Sequence, residues 1–178
     1  GLWSRKIELY ELQGNTVESN RLRKRLSQIY PKDSKVQEDY LYNTELQANA
    51  LRKQGKIDEA ISLTSDLLKK QPENPSHYLT LVNDHLKTGD YYSALAFAER
   101  GLIQFPGNLS LINKKSGILA EQKRYDELIP FLQDQMKFGN RAALQQQYNY
   151  YLLEAARSAK DKDPATLYGK IFESSPGN

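Results

Sequence analysis

His77 and His85 are the only two histidines in the chain, eight residues apart. That is not a metal-binding spacing such as His-Glu-x-x-His. His85 also falls on a stripe that packs against the next helix, which reads as a core position. Asp58-Glu59 and Asp126-Glu127 are paired acids at helix starts. General acid–base work needs such carboxylates set against a partner group. No partner is evident, and a favourable interaction with the helix dipole accounts for both pairs. The chain has no phosphate loop of the form G-x-x-x-x-G-K-[ST] and no G-x-S-x-G nucleophile elbow. It has no cysteine, which excludes disulfides and thiolate metal sites. The sequence predicts no enzyme, no cofactor and no metal. The remaining chemistry is recognition.

Twelve tyrosines are present, and most sit on packing stripes where they fill gaps between helices. Tyr42, Tyr92 and Tyr150 fall off those stripes and are candidates for partner contact. Arg21, Arg23, Lys24 and Arg25 form the densest basic cluster. On a helix they spread around most of the circumference, so they read as a solvated outer face, with Arg23 marking the outer surface. Net charge is only +3 and the pI about 8.9, and no nucleic acid partner is expected without clustered charge. Asn108-Leu109-Ser110 satisfies the glycosylation sequon but sits where a helix needs its cap, so capping is the stronger reading. No apolar run approaches the roughly 18 residues that suggest a membrane span. The composition, rich in lysine, asparagine and tyrosine, suits a bacterial protein, and cytoplasm and periplasm fit equally.

The elements that must position these residues repeat. Gly55-Lys56-Ile57-Asp58-Glu59-Ala60 followed by Pro72-Glu73-Asn74 matches Gly89-Asp90-Tyr91-Tyr92-Ser93-Ala94 followed by Pro106-Gly107-Asn108, each residue 34 positions from its partner. A fixed period of that length marks stacked helix–turn–helix units. Gly14 to Pro31, Gly55 to Pro72 and Gly89 to Pro106 are each 17 residues, which ties the divergent first unit to the others. In that unit Trp3, Ile7 and Tyr10 recur at helical spacing, and Gly14-Asn15 breaks the helix with Asn15 as a cap. Val17, Leu22, Leu26 and Ile29 mark the second helix, which Pro31 stops. Gly14 to Gly55 is 41 residues, seven more than the period. Seven residues are about two helical turns and keep the buried face, so Ser34 to Gln54 reads as one long helix. Its inward stripe is Val36, Tyr40, Thr44, Ala48 and Leu51, with Ser34 and Gln37 as a capping box. Ala60 and Ala94 sit where two helices approach closely, and Tyr78, Leu81, Val82 and Tyr91 supply the opposing bulk. In the fourth unit Lys123 stands at the inter-helix glycine position, Leu128 at the small alanine position, and Pro130 predicts a kink or a late helix start. The last unit predicts a long helix with Leu144, Tyr148, Tyr151, Leu152, Ala155 and Ala159 inward. A second helix follows from Asp163-Pro164, with Leu167, Tyr168, Ile171 and Phe172.

The chain resembles the tetratricopeptide-repeat family over nearly its whole length. The resemblance implies an all-α, right-handed solenoid of about five antiparallel helix pairs, with repeats at about 2–33, 34–74, 75–108, 109–140 and 141–178 in one domain. The family's large aromatic near the start of the first helix is Trp3 here. The start without methionine and the apolar last unit read as a piece of a longer protein, open to end-to-end self-association. First helices of successive repeats in this family line a concave groove that holds a peptide or partner helix. By register Tyr42, Asn49, Arg52, Lys53, Leu79, Thr80, Asn83, Lys87, Asn113, Lys114, Asn149, Tyr150 and Arg157 face it. Amide side chains both donate and accept, which suits a peptide backbone. The cations favour an acidic segment. A subset of the family clamps a C-terminal carboxylate with lysine and asparagine; Asn49 and Lys114 fall in its slots, but Glu45, Thr80 and Ser110 do not fit. The implied role is a non-enzymatic binding module or scaffold. The alternative is a regulatory or targeting arm of a larger enzyme or envelope assembly.

Overall fold

Glycines and prolines punctuate the chain at regular intervals, and helices fill the stretches between them. The structure, a computed structural model, describes residues 2–158 and Gly169. Nine α-helices are present among the described residues: α1 (Leu2–Leu12), α2 (Thr16–Ile29), α3 (Ser34–Lys53), α4 (Ile57–Lys70), α5 (Pro75–Lys87), α6 (Tyr91–Gln104), α7 (Leu109–Glu121), α8 (Tyr125–Gln135) and α9 (Arg141–Ser158). No strand occurs among those residues. The second helix expected from Asp163-Pro164 lies outside them, as does Ala159. The chain divides into two compact units, Gly1–His77 and Tyr78–Asn178.

In the first unit α1 packs on α2, α2 on α3 and α3 on α4. The long third helix forms as expected, with Tyr40, Thr44 and Ala48 buried. Its cap differs. Asp33 accepts from the Val36 amide at 3.2 Å, while Gln37 Nε2 donates to the Ser27 and Tyr30 carbonyls at the end of α2. Aspartate is the better cap because its charge also meets the helix dipole, which frees Gln37 to satisfy α2's last carbonyls. Asn15 caps α2 as read, accepting from the Glu18 amide at 3.2 Å.

The buried face of α2 is not the apolar one the spacing suggests. Val17 and Ile29 are exposed, and the buried positions are Ser19, Arg23, Leu26 and Ser27. Ser19 and Ser27 donate to carbonyls three residues back, Thr16 and Lys24, so their hydroxyls need no partner from a neighbouring helix. Arg23, expected on the outer face, is 7% exposed. Its Nε donates to Asp39 on α3 at 2.8 Å and its Nη2 to Glu11 on α1 at 2.6 Å, so one guanidinium ties three helices together. Lys24 also departs from a free outer position, reaching Asp66 on α4 at 2.8 Å, and this bond raises the lysine pKa and lowers the aspartate's. Trp3 is 41% exposed, so Ile7 alone carries the buried face of α1.

In the second unit Val82, Ala94, Ala98 and Ile118 form a core cluster, with Leu86, Tyr91, Leu95 and Phe97 packed against it. Leu81, Leu111, Ile112, Leu119, Leu128 and Leu132 are fully buried, each contributing about 1.5–3 kcal/mol by removal from water. Ala94 is completely buried, as is Ala60 in the first unit, in keeping with their close-approach positions. Gly101 is a further such position. A Cβ there would stand 2.8 Å from Leu111 Cδ1 and 3.1 Å from Tyr78 Cβ.

Lys123 has φ +56°, the left-handed conformation that Gly14, Gly55 and Gly89 adopt at the same turn with φ +68°, +77° and +77°. The turn geometry is kept although the residue suited to it is not. Lys123→Gly is expected to raise the urea midpoint, since a left-handed non-glycine residue costs about 1–2 kcal/mol and glycine's extra unfolded-state entropy returns about 0.4–1 kcal/mol of that. A lower midpoint would contradict the assigned turn. Pro130 does not delay its helix, because α8 begins at Tyr125, five residues before the proline. In α9 burial steps by four residues through Leu144, Tyr148, Leu152 and Ala156. Tyr151 and Ala155, expected inward, are only half-buried.

His77 is buried, with Nε2 lying 3.0 Å from Gln71 Oε1 and 3.3 Å from Asn74 Nδ2. Burial holds its pKa below the ordinary 6.5, against the opposing pull of Glu45 and Glu73. The unfolded chain therefore takes up this proton more readily than the folded one, and stability should fall as pH drops through about 6.5. His77→Gln should reduce the difference in urea midpoint between pH 7.5 and pH 5.5. An unchanged difference would place the acid sensitivity elsewhere. His85, read as a core position, stacks on Phe97 at 5.4 Å and contacts Asp90 at 3.3 Å through Nδ1.

Candidate functional site

Recognition by a helical repeat depends on side chains that its own packing leaves unused. In the first unit Tyr42 is 63% exposed on α3, and Asn49 and Lys53 are also exposed. Arg52 is half-buried; it donates to Asn49 Oδ1 at 2.9 Å and to Thr64 Oγ1 on α4, a hydroxyl that itself donates to the Ala60 carbonyl. In the second unit Thr80 and Asn83 are half-buried on α5, and Lys87 is exposed at its end. Asn83 makes no side-chain hydrogen bond among the described residues. On α9 Arg157 pairs with Glu154 at 2.8 Å, and Gln145 donates to Asn149 Oδ1 at 3.0 Å. Lys114 is half-buried on α7.

Two of the predicted residues come together, Asn113 on α7 and Tyr150 on α9. With Gln146, Gln147 and Tyr151 they line an open hollow of about 370 Å³. Gln147 Nε2 donates to Asn113 Oδ1 at 2.7 Å. That bond uses one group of each amide, so the pair still presents a donor on Asn113 and an acceptor on Gln147. Tyr150 is 59% exposed and meets Tyr151 edge-on, ring centroids 5.1 Å apart at 69°. Burial, with smaller effects from Tyr150 and Tyr125, pushes the Tyr151 phenol above its ordinary pKa of 10.

Gln146 and Gln147 are absent from the sequence reading, and Tyr151 was placed on the packing stripe. A signal for Gln147 existed. It lies 34 residues after Asn113, so the period alone sets the two at equivalent places on α7 and α9. No cluster of three or more His, Cys, Asp or Glu that could hold a metal occurs among the described residues. No helix among them is long and apolar enough to cross a membrane.

Consecutive helix pairs, left-handed glycines at the inter-helix turns and asparagine or aspartate caps define the architecture, and solved structures share it. MamA, as a double mutant described as RS-1 ArsTM, aligns over 97% of this chain and 92% of its own at a TM-score of 0.50 and 16% identity. A second MamA structure covers 97% of this chain and 90% of its own, with TM-score 0.51 and 10% identity. YrrB, described as a TPR protein with an unusual peptide-binding site, covers 85% and 75%, with TM-score 0.50 and 16% identity. The fold is that of the tetratricopeptide repeat. No family model matches the sequence, and no curated protein matches it. Lys123 adopts the left-handed conformation of the inter-helix turn without being glycine.

Proposed function

We propose that this protein is a non-enzymatic interaction module that binds an extended polypeptide segment on the first helices of its repeats, with α7 and α9 contributing the central contacts. The observation that carries the reading is the hollow lined by Asn113, Gln146, Gln147, Tyr150 and Tyr151. An amide pair offering one donor and one acceptor complements a peptide unit, which offers the same two groups. An exposed tyrosine beside it supplies apolar contact area with few torsions to freeze. The peptide-binding site named for YrrB supports the same use of the fold. Asn83, Lys87 and Lys114 are further proposed contacts within the second unit; Tyr42, Asn49 and Lys53 are a separate proposed contact set on the first unit.

Selection of a random peptide library on the immobilised protein tests this. Enriched peptides should lose about 1–3 kcal/mol of affinity on Tyr150→Ala, the range for truncating an interface anchor. Ile103→Ala on α6, where Ile103 is 80% exposed, should leave binding unchanged. Enriched peptides that bind both variants equally well would move the site off this face.

A further inference from the structure

The hollow between α7 and α9 also specifies what kind of segment it takes. None of its five lining residues carries a charge. Arg157, the cation of α9's last turn, is already paired with Glu154, and Lys115 on α7 is paired with Glu99 at 2.7 Å and lies 4.6 Å from the Phe131 ring centroid. Lys114, also on α7, is not part of the lining, so a carboxylate in the hollow meets no cation among the residues that line it. The acidic partner expected from the sequence is not matched to this lining.

What the lining does offer is an aromatic corner and hydrogen-bond donors. Tyr150 and Tyr151 stand at 69° to one another, so a compact aliphatic ring can rest on the exposed Tyr150 face with its edge against Tyr151. Asn113 Nδ2 and the Gln146 amide can donate to main-chain carbonyls. Tyr151's phenol O–H adds a third donor. A polyproline II segment is the complement of this set. It carries no internal hydrogen bonds, presents its carbonyls outward as acceptors, lacks N–H groups at its prolines, and is already extended before it binds. Aromatic-lined grooves take such segments with little loss of chain entropy.

We infer that the hollow of α7 and α9 binds an uncharged, proline-rich segment in the polyproline II conformation, with a proline ring seated on Tyr150. The inference rests on the reading of this face as a peptide site and narrows it to one class of ligand.

Three fluorescein-labelled twelve-residue probes test it by polarisation: a neutral proline-rich peptide, a glutamate–serine peptide, and a neutral asparagine–threonine–serine peptide without proline. The proline-rich probe should bind at least about tenfold more tightly than the other two. Its affinity should change less than about twofold between 20 and 500 mM NaCl, since no charge is screened. Tyr150→Ala should weaken it about tenfold, Tyr150→Phe less than threefold, and Ile103→Ala, at an exposed position of α6, not at all. Tighter binding of the acidic probe, lost at high salt, would overturn the inference and leave the peptide site standing. Preference for the neutral probe without proline would do the same. Failure of all three probes to bind would overturn both the inference and the peptide site.

Discussion

Gly107→Ala is expected to cost about 3 kcal/mol, the largest loss from any single methyl addition in the second unit. Two effects add. Gly107 has φ +77°, which an alanine resists by about 1–2 kcal/mol. A Cβ built there would also stand 2.9 Å from the Phe138 carbonyl oxygen and 3.0 Å from its Cβ. Neither atom is the free end of a flexible side chain, so the turn or the segment after α8 must move, at about 1–3 kcal/mol. The same segment holds the turn by its polar groups. Gln135 Oε1 accepts from the Gly107 amide at 3.4 Å, and Asn140 Nδ2 donates to the Gly107 carbonyl at 3.1 Å. Gly89→Ala is the matched comparison, with the same φ and nothing within 4 Å of the added methyl. Alanine restricts the unfolded chain equally in both variants, so that contribution cancels in the difference. If urea unfolding shows Gly107→Ala no more destabilised than Gly89→Ala, the contact with Phe138 is not made.

Arg23→Met should be the most damaging change of a charged residue in the first unit, with a loss of about 1.5–3 kcal/mol, the range for hydrogen bonds to charged groups. Methionine keeps an apolar stem in the buried position but removes the bonds to Glu11 and Asp39. The loss stays below that of a fully buried pair, because both carboxylates are about half exposed (46% and 47%) and water can reach them. Arg23→Lys should fall between, since a single ammonium cannot reproduce the guanidinium fork toward two helices. Denaturation midpoints equal to the wild type for both variants would show that the bridge contributes nothing.

These two residues mark where the sequence was legible and where it was not. Features set by neighbours in sequence were readable: the caps at Asn15 and Asn108, the long α3, and the glycines whose left-handed turns repeat every 34 residues around Gly55 and Gly89. Arg23 was misread because its partners lie 12 and 16 residues away on other helices, and a basic cluster viewed on one helix carries no trace of them. Gly107 shares its place in the turn with Lys32 and Glu73, neither of which has a positive φ. Contact with a segment about thirty residues later also separates it from them, and the local Pro-Gly-Asn pattern does not encode that contact. The candidate site divides in the same way. Asn113 and Tyr150 followed from helical register, whereas the hollow itself depends on α7 and α9 both packing on α8, which brings Asn113 and Gln147 within bonding distance. Arg52, placed by register with the exposed residues, instead bonds to Thr64 on α4, because its side chain is long enough to leave its own helix face.

The central claim is that a peptide lies on α7 and α9. Nitrogen-15 spectra of the protein, recorded while titrating a peptide taken from the library selection, test it most directly. Side-chain amide resonances report contact at the proposed atoms themselves. The account predicts that the largest shifts are those of the Asn113, Gln146 and Gln147 side-chain amides and the Tyr150 and Tyr151 backbone amides, with the three side-chain shifts markedly smaller in Tyr150→Ala at the same peptide concentration. Shifts concentrated on the outer face of α6, around Tyr92 and Ile103, with the Asn113 and Gln147 amides unmoved, would contradict it.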